Sequence, residues 1–256
     1  VGNDSALWEI VNTANVACGA HGGDADTMLA TCLAAHRNGV SIGAHPGFAD
    51  LPGFGRRPLE LAARQVEALC ASQIGALRGV AAYAQTLTKS AADIAPQSEH
   101  HAAALSVTHV KAHGALNNMA CVREDYAAAI VRAIAAIDPT LIHLVMPGTA
   151  LERATDAAGL PKCLEAFVDR TYASDGTLTP RSQPDAMIND IDAAADRAVR
   201  MVTTQSLETT AGTQLKTTIH SLCVHGDGPH AVAMARKVRA ALVGAGVELV
   251  GLPQLA

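Results

Sequence analysis

The stretch VTHVKAHGALNN, residues 107–118, decides how this chain is read. As a strand it sets Val107, His109, Lys111 and His113 on one face and Thr108, Val110 and Ala112 on the other, because side chains alternate along β structure. One face is apolar. The other ends in an ammonium and an imidazole two residues apart, just before a turn at Gly114. Burying both without partners is costly. Either they are paired structural groups or they line a site.

The same pattern recurs. Strand candidates are 13–19, 40–45, 107–113, 141–146, 163–169, 220–227 and 247–252, with helical patterns between them. Asp24 caps a helix running to about Asn38, stopped by Gly39. Pro58 suits the first turn of a helix followed by Gly79, and Pro229 opens a last helix closed by glycines. The segment 80–104 reads as a helix tail and a surface loop. This βαβα alternation predicts an α/β fold with a parallel sheet covered by helices, in a single domain over 1–256. A sheet covered on both sides is apolar on both, whereas these strands turn polar on one face toward their C-terminal ends. A closed barrel accounts for that, with its site at the C-terminal mouth. The residues expected there are His21, His45, Lys111, His113, Glu165, Asp169, His225 and Asp227.

Composition narrows the function classes. The chain has 256 residues, 49% of them hydrophobic but only 3% aromatic, so its core is aliphatic. The net charge of −5 comes with no long basic run, which argues against a sequence-independent nucleic-acid binder. Six scattered cysteines without a CxxC pair read as reduced thiols in a cytoplasmic protein. No apolar run reaches membrane-spanning length, and the first residues, VGNDSALWEI, do not read as a signal peptide. Neither GxGxxG nor GxxxxGK[ST] occurs.

A lone histidine at a strand end is more often a hydrogen-bonded structural residue than a catalyst, and His109 fits that bland reading. Recurrence of ionisable groups at one level of several strands favours a shared pocket. Two loops add candidates. HPGFADLPGFGRR (45–57) ends in Arg56 and Arg57 ahead of a helix start that favours anions, and DRTYASDGTLTPR (169–181) offers Asp169, Arg170, Tyr172 and Arg181. Either loop also reads as decorated surface.

Together NTANVACGAHGGD, IGAHPGFADLPGFGRR, QIGAL, HVKAHGALNN, EAFVDRTYASDGTLTPR and SLCVHGD resemble the LamB/YcsF family over nearly the whole chain. The resemblance implies a distorted TIM-like (β/α) barrel of seven strands, similar to the glycoside hydrolase/deacetylase superfamily. It implies the A subunit's part in an ATP-dependent 5-oxoprolinase: opening of the lactam 5-oxoproline to L-glutamate, with ATP as co-substrate, possible Mg²⁺ or another divalent metal, and B and C subunits as partners. Family members begin with a strand resembling DLNADLGE, which this chain lacks; Ala20, Ala25, Ala112 and Asn117 depart from the usual residues.

Carried over by motif, the resemblance implies catalytic roles for Lys111, His113, Glu165, Asp169, His225 and Asp227. It implies substrate or phosphate binding by His21, His45, Arg56, Arg57, Asn118, Arg170, Tyr172 and Arg181. Candidate metal ligands are His21, His45, Glu165 and Asp227. Within that scheme Lys111 and the arginines hold anions, a carboxylate acts as base, and a histidine such as His113 protonates the leaving nitrogen. The competing readings are a metal-dependent deacetylase or amidohydrolase working without ATP, and a non-catalytic subunit that positions a lactam for its partners.

Overall fold

The computed structural model describes residues 4–90 and 105–255. In chain order the elements are α1 (Asp4–Leu7), β1 (Thr13–Ala17), α2 (Ala25–Asn38), β2 (Ser41–His45), α3 (Ala63–Ser90), β3 (Val107–Val110), α4 (Gly114–Val122), α5 (Glu124–Ile137) and β4 (Ile142–Val145). Then follow α6 (Ala150–Ala157), β5 (Lys162–Phe167), α7 (Ile191–Thr204), β6 (Ser206–Glu208), β7 (Gln214–Lys216), β8 (Ser221–Cys223), α8 (Ala231–Gly244) and a 3-10 turn at Leu252–Gln254. The α/β class expected from the alternation holds. The chain forms two compact units, each assembled from separated segments.

The larger unit comprises Asn12–Leu144, Ala150–Lys162 and the C-terminal segment from Gly251. Strands β1, β2, β3 and β4 run parallel in that order. Thr13 pairs with Ser41 through to Ala17 with His45, and the register shifts between Ile42 and Gly43 where β2 meets β3. The shift sits beside a close packing contact. A Cβ on Gly43 would lie 2.1 Å from His109 Cδ2, so the buried ring occupies the space that any other residue would fill. The capping expected for α2 is present: Asp24 accepts from Thr27 N at 2.7 Å, and Gly39 ends the helix at φ 65°. Tyr126, Ile130 and Ile134 of α5 are wholly buried, and each aliphatic side chain so buried stabilises the fold by about 1.5–3 kcal/mol.

The smaller unit contains the residues up to Val11, Val145–Thr149 and Cys163–Val250. Strands β5 and β8 are parallel, with Glu165 opposite Ser221 and Phe167 opposite Cys223. Between them come α7, capped by Asp190, and an antiparallel β6–β7 hairpin that the sequence pattern did not suggest.

Several expected boundaries move. The strand expected over 107–113 ends at Val110. The strand expected over 220–227 is three residues long, and 247–252 forms no strand, so six parallel strands occur among the described residues. The helix expected from Pro58 begins at Ala63 and runs past Gly79 to Ser90. Tyr126 explains the late start: its hydroxyl donates to the Leu61 carbonyl at 3.0 Å and accepts from Leu61 N at 2.8 Å, pinning the segment outside the helix. Residues 91–104 of the expected surface loop lie outside the described residues.

Candidate active site

The C-terminal end of β2 and the loops that follow β1 and β3 bring three histidines together in the larger unit. His21 and His113 stack with ring centroids 3.8 Å apart and planes 3° from parallel. His45 meets His113 edge-on at 4.8 Å. His113 Nδ1 lies 3.0 Å from His45 Nε2, His113 Nε2 lies 2.7 Å from the Phe54 carbonyl oxygen, and His45 Nδ1 lies 2.7 Å from the Lys111 carbonyl oxygen. The Phe54 ring stands edge-on to both stacked rings, and the Arg56 guanidinium lies 5.1 Å from its centroid.

Local sequence makes this cluster possible. Lys111 and His113 lie beyond the last strand residue, but their amides still reach the β2 side, donating to Ala44 O at 3.0 Å and Pro46 O at 2.8 Å. The PGFADLPGFG loop wraps over the rings. Gln73 ties it down through both Gly47 N and Gly47 O. A Cβ on Gly47 would sit 2.6 Å from His21 Nδ1, and one on Gly55 only 2.8 Å from His21 Cβ. Phe54 itself adopts φ 52°, a strained setting for a bulky residue, and its carbonyl meets His113. Phe54, Gln73 and Gly47 were not singled out in the sequence; the doubled Pro-Gly-Phe was the available signal.

Burial is the main force lowering the His21 pKa to about 3, followed by the neighbouring charges of His113 and Arg56. Burial likewise holds His45 well below the ordinary imidazole range, with His113, Lys111 and His21 adding to the effect and the Lys111 carbonyl opposing it. Burial raises the Cys18 thiol to about 11, so it stays protonated beside β2.

The smaller unit carries a different pair. His225 Nδ1 lies 2.7 Å from Asp169 Oδ2, and the His225 ring stacks on Phe167 at 5.6 Å. Burial works to raise the Asp169 carboxyl, but the hydrogen bond and charge of His225, helped by Arg181, hold it below the usual carboxylate range. Asp169 is buried while the His225 side chain is 25% exposed. A carboxylate on Nδ1 fixes the tautomer with that proton and leaves Nε2 as the acceptor nitrogen. Glu165 is also buried and accepts from the Ser221 hydroxyl at 3.2 Å.

Other sequence-predicted residues sit differently. Arg57 is paired with Asp50, its Nε donating to both carboxylate oxygens at 3.0 and 3.1 Å, so it braces the loop. Neither it nor Arg56 precedes a helix start, since α3 begins at Ala63. Tyr172 is fully buried and its hydroxyl accepts from Phe167 N at 2.7 Å. Arg170 is buried and donates to the Ala186 and Thr179 carbonyls. Both therefore shape the 169–181 loop from within. Arg181 is exposed, with Nη1 3.2 Å from Met187 Sδ; Asp227 and Asn118 are exposed as well. Lys111 is buried. His113, expected to protonate a leaving group, has both ring nitrogens engaged by Phe54 and His45.

Of the candidate metal ligands, His45 has both ring nitrogens engaged, and no group of three His, Cys, Asp or Glu side chains suited to an ion occurs among the described residues. All six cysteines are free thiols. Among the described residues no helix is long and apolar enough to cross a membrane.

The LamB/YcsF family profile matches residues 1–90 and 94–256. The chain belongs to the LamB/YcsF family. Its relatives include the second of the 5-oxoprolinase A subunits of Bradyrhizobium diazoefficiens, 44% identical over 250 residues that cover 97% of this chain and 90% of the relative. The 5-oxoprolinase A subunit of Rhodopseudomonas palustris is 45% identical, covering 97% and 91%. That of Brevibacillus brevis is 42% identical with the same coverage. The crystal structure of a lactam utilization protein from Thermus thermophilus superposes with a TM-score of 0.83 at 40% identity, covering 98% of this chain and 93% of that one. The LamB/YcsF fold is thus shared over nearly the full length.

Proposed function

We propose that this chain is the A subunit of an ATP-dependent 5-oxoprolinase, which opens the lactam 5-oxoproline to L-glutamate as ATP becomes ADP and phosphate. The carrying observation is near-full-length similarity, at 42–45% identity, to proteins named as the A subunits of 5-oxoprolinases. In this reading ATP supplies the driving force, because a five-membered lactam is a stabilised amide: its γ-phosphoryl passes to the lactam oxygen as ADP leaves, water adds at that carbon and the C–N bond breaks to leave an acyl phosphate, a second water releases phosphate and L-glutamate, and the B and C subunits complete the enzyme. The six free thiols suit a cytosolic setting.

The acid–base work falls to His225. With Nδ1–H donating to Asp169, Nε2 carries the lone pair. It takes a proton from the attacking water as the C–O bond forms at the ring carbonyl carbon. It returns that proton to the ring nitrogen as the C–N bond breaks, and the resulting imidazolium is stabilised meanwhile by the Asp169 carboxylate. Within the larger unit, Lys111 and Arg56 carry positive charge suited to an anionic group.

The deciding assay combines this chain with its B and C partners. Glutamate release from 5-oxoproline that needs all components and ATP supports the reading. Ring opening by this chain alone without ATP overturns it.

A further inference from the structure

Arg197 is a buried cation that the acid–base scheme leaves unused. It lies on α7 at 7% exposure, although a guanidinium stays charged and is costly to bury. Its contacts converge on one residue. Nη1 donates to the Phe167 carbonyl at 2.8 Å, and the guanidinium stands 5.3 Å from the centroid of the Tyr172 ring. The Tyr172 hydroxyl accepts the Phe167 N–H at 2.7 Å. Arg197 and Tyr172 therefore grip both backbone groups of Phe167. That residue ends β5 opposite Cys223 of β8, and its ring stacks on His225 at 5.6 Å and 27°. Asp169, two residues further along, holds His225 Nδ1. All of these residues belong to the smaller unit. A neutral donor would satisfy the Phe167 carbonyl equally well. Arg197 Nη2 is buried with no hydrogen-bond partner among the described residues, a cost to stability. A guanidinium here is more than packing requires.

We propose that Arg197 is a positioning residue for the His225–Asp169 pair: by fixing the Phe167 peptide it sets the ring against which the His225 imidazole is held. Arg197 makes no hydrogen bond to His225 or Asp169 and acts through Phe167. The hydrogen bond from Asp169 fixes one point of the imidazole; the stacked face fixes its plane. Both are needed to aim Nε2 in a constant direction, and aim is what a proton transfer depends on. The catalytic consequence rests on the oxoprolinase reading; the placement of the ring does not.

Two measurements test this. The first follows the His225 ring protons by NMR in the intact chain at one fixed pH. The Phe167 ring current shifts these signals, and Phe167→Leu marks their position without it. Arg197→Met should move them toward the Phe167→Leu position, and Arg197→Lys, which keeps a donor, should move them less. Unchanged signals in Arg197→Met overturn the proposal. The second uses the reconstituted complex. Arg197→Met should lower kcat about tenfold or more with the KM for 5-oxoproline unchanged, and Arg197→Lys should recover part of that loss. In a His225→Gln background the same Arg197→Met change should cost nothing further in kcat. An equal loss in both backgrounds overturns the positioning role, because a residue needed only for stability acts whether or not His225 is present. Should Arg197→Met fail to fold, Arg197→Lys takes its place against the same two references. Failure of the unmodified complex to open 5-oxoproline defeats the oxoprolinase reading and the catalytic consequence with it, whereas the His225 signals decide the placement independently.

Discussion

The two histidine-bearing regions answer the same demand in opposite ways. In the larger unit, His45 and His113 spend every ring nitrogen on backbone carbonyls and on each other. In the smaller unit, His225 uses one nitrogen on Asp169 and remains 25% exposed. A fully engaged ring is fixed in place; a ring anchored at one end can trade a proton with a substrate. Histidine content alone does not distinguish the two. The partners of the second nitrogen do.

The largest expected effect falls on the open pair. His225→Gln should lower kcat of the reconstituted complex by roughly 10²–10⁴, with Asp169→Asn falling in the same direction because it removes the carboxylate that fixes the tautomer. Steady-state kinetics check both. A His225 variant with full kcat would reassign the acid–base work and blur the contrast drawn above.

Next comes the acid response of the buried structural histidines. His109 and His143 are fully buried, and burial lowers each pKa to about 3, with Lys111 contributing at His109. Each is neutral when folded but titrates near 6.5 when unfolded. The unfolded state therefore binds more protons below that value, and stability is lost progressively as pH falls from about 6.5 toward 3. Urea midpoints at pH 7.5, 6 and 5 should decline in order. His143→Gln, which keeps a polar group beside Thr155, should make that decline shallower. A pH-independent midpoint would show that these rings titrate in the fold as they do in the unfolded chain.

A packing test follows. Gly43→Ala should cost about 1–3 kcal/mol, because the new methyl collides with the buried His109 ring. His109→Ala combined with it should cost less than the sum of the single changes, measured as a double-mutant cycle. Strict additivity would mean the two do not meet.

The smallest effect belongs to Arg57. Its side chain is 64% exposed and paired with Asp50, so Arg57→Ala should leave KM and kcat of the complex unaltered and lower the thermal midpoint slightly. A raised KM would return Arg57 to the list of binding residues.

Much was readable in the chain itself. Alternation of apolar strands with capped helices, such as Asp24 to Gly39, depends on local stereochemistry and survives folding unchanged. The histidines that end β2 and follow β3 and the pairing-prone Asp169 and His225 were also visible as a polar fringe at strand ends. Boundaries shifted where distant groups intervened, as when Tyr126 held residue 61 out of α3. Tyr172 and Arg170 looked like site residues because a loop rich in polar side chains is legible as a loop but not as inside or outside. Their burial depends on backbone groups of Phe167, Thr179 and Ala186 that no local pattern identifies.

By itself, then, the sequence settled the α/β class, the family and the residue types from which chemistry would be drawn, because periodicity, caps and long motifs are properties of neighbouring residues. Only the tertiary structure decided which histidine nitrogens are occupied. That depends on carbonyls and carboxylates brought close from far along the chain: Lys111 to His45, Phe54 to His113, Asp169 to His225. Protonation follows from those distances, and distances between remote residues exist only once the backbone has folded.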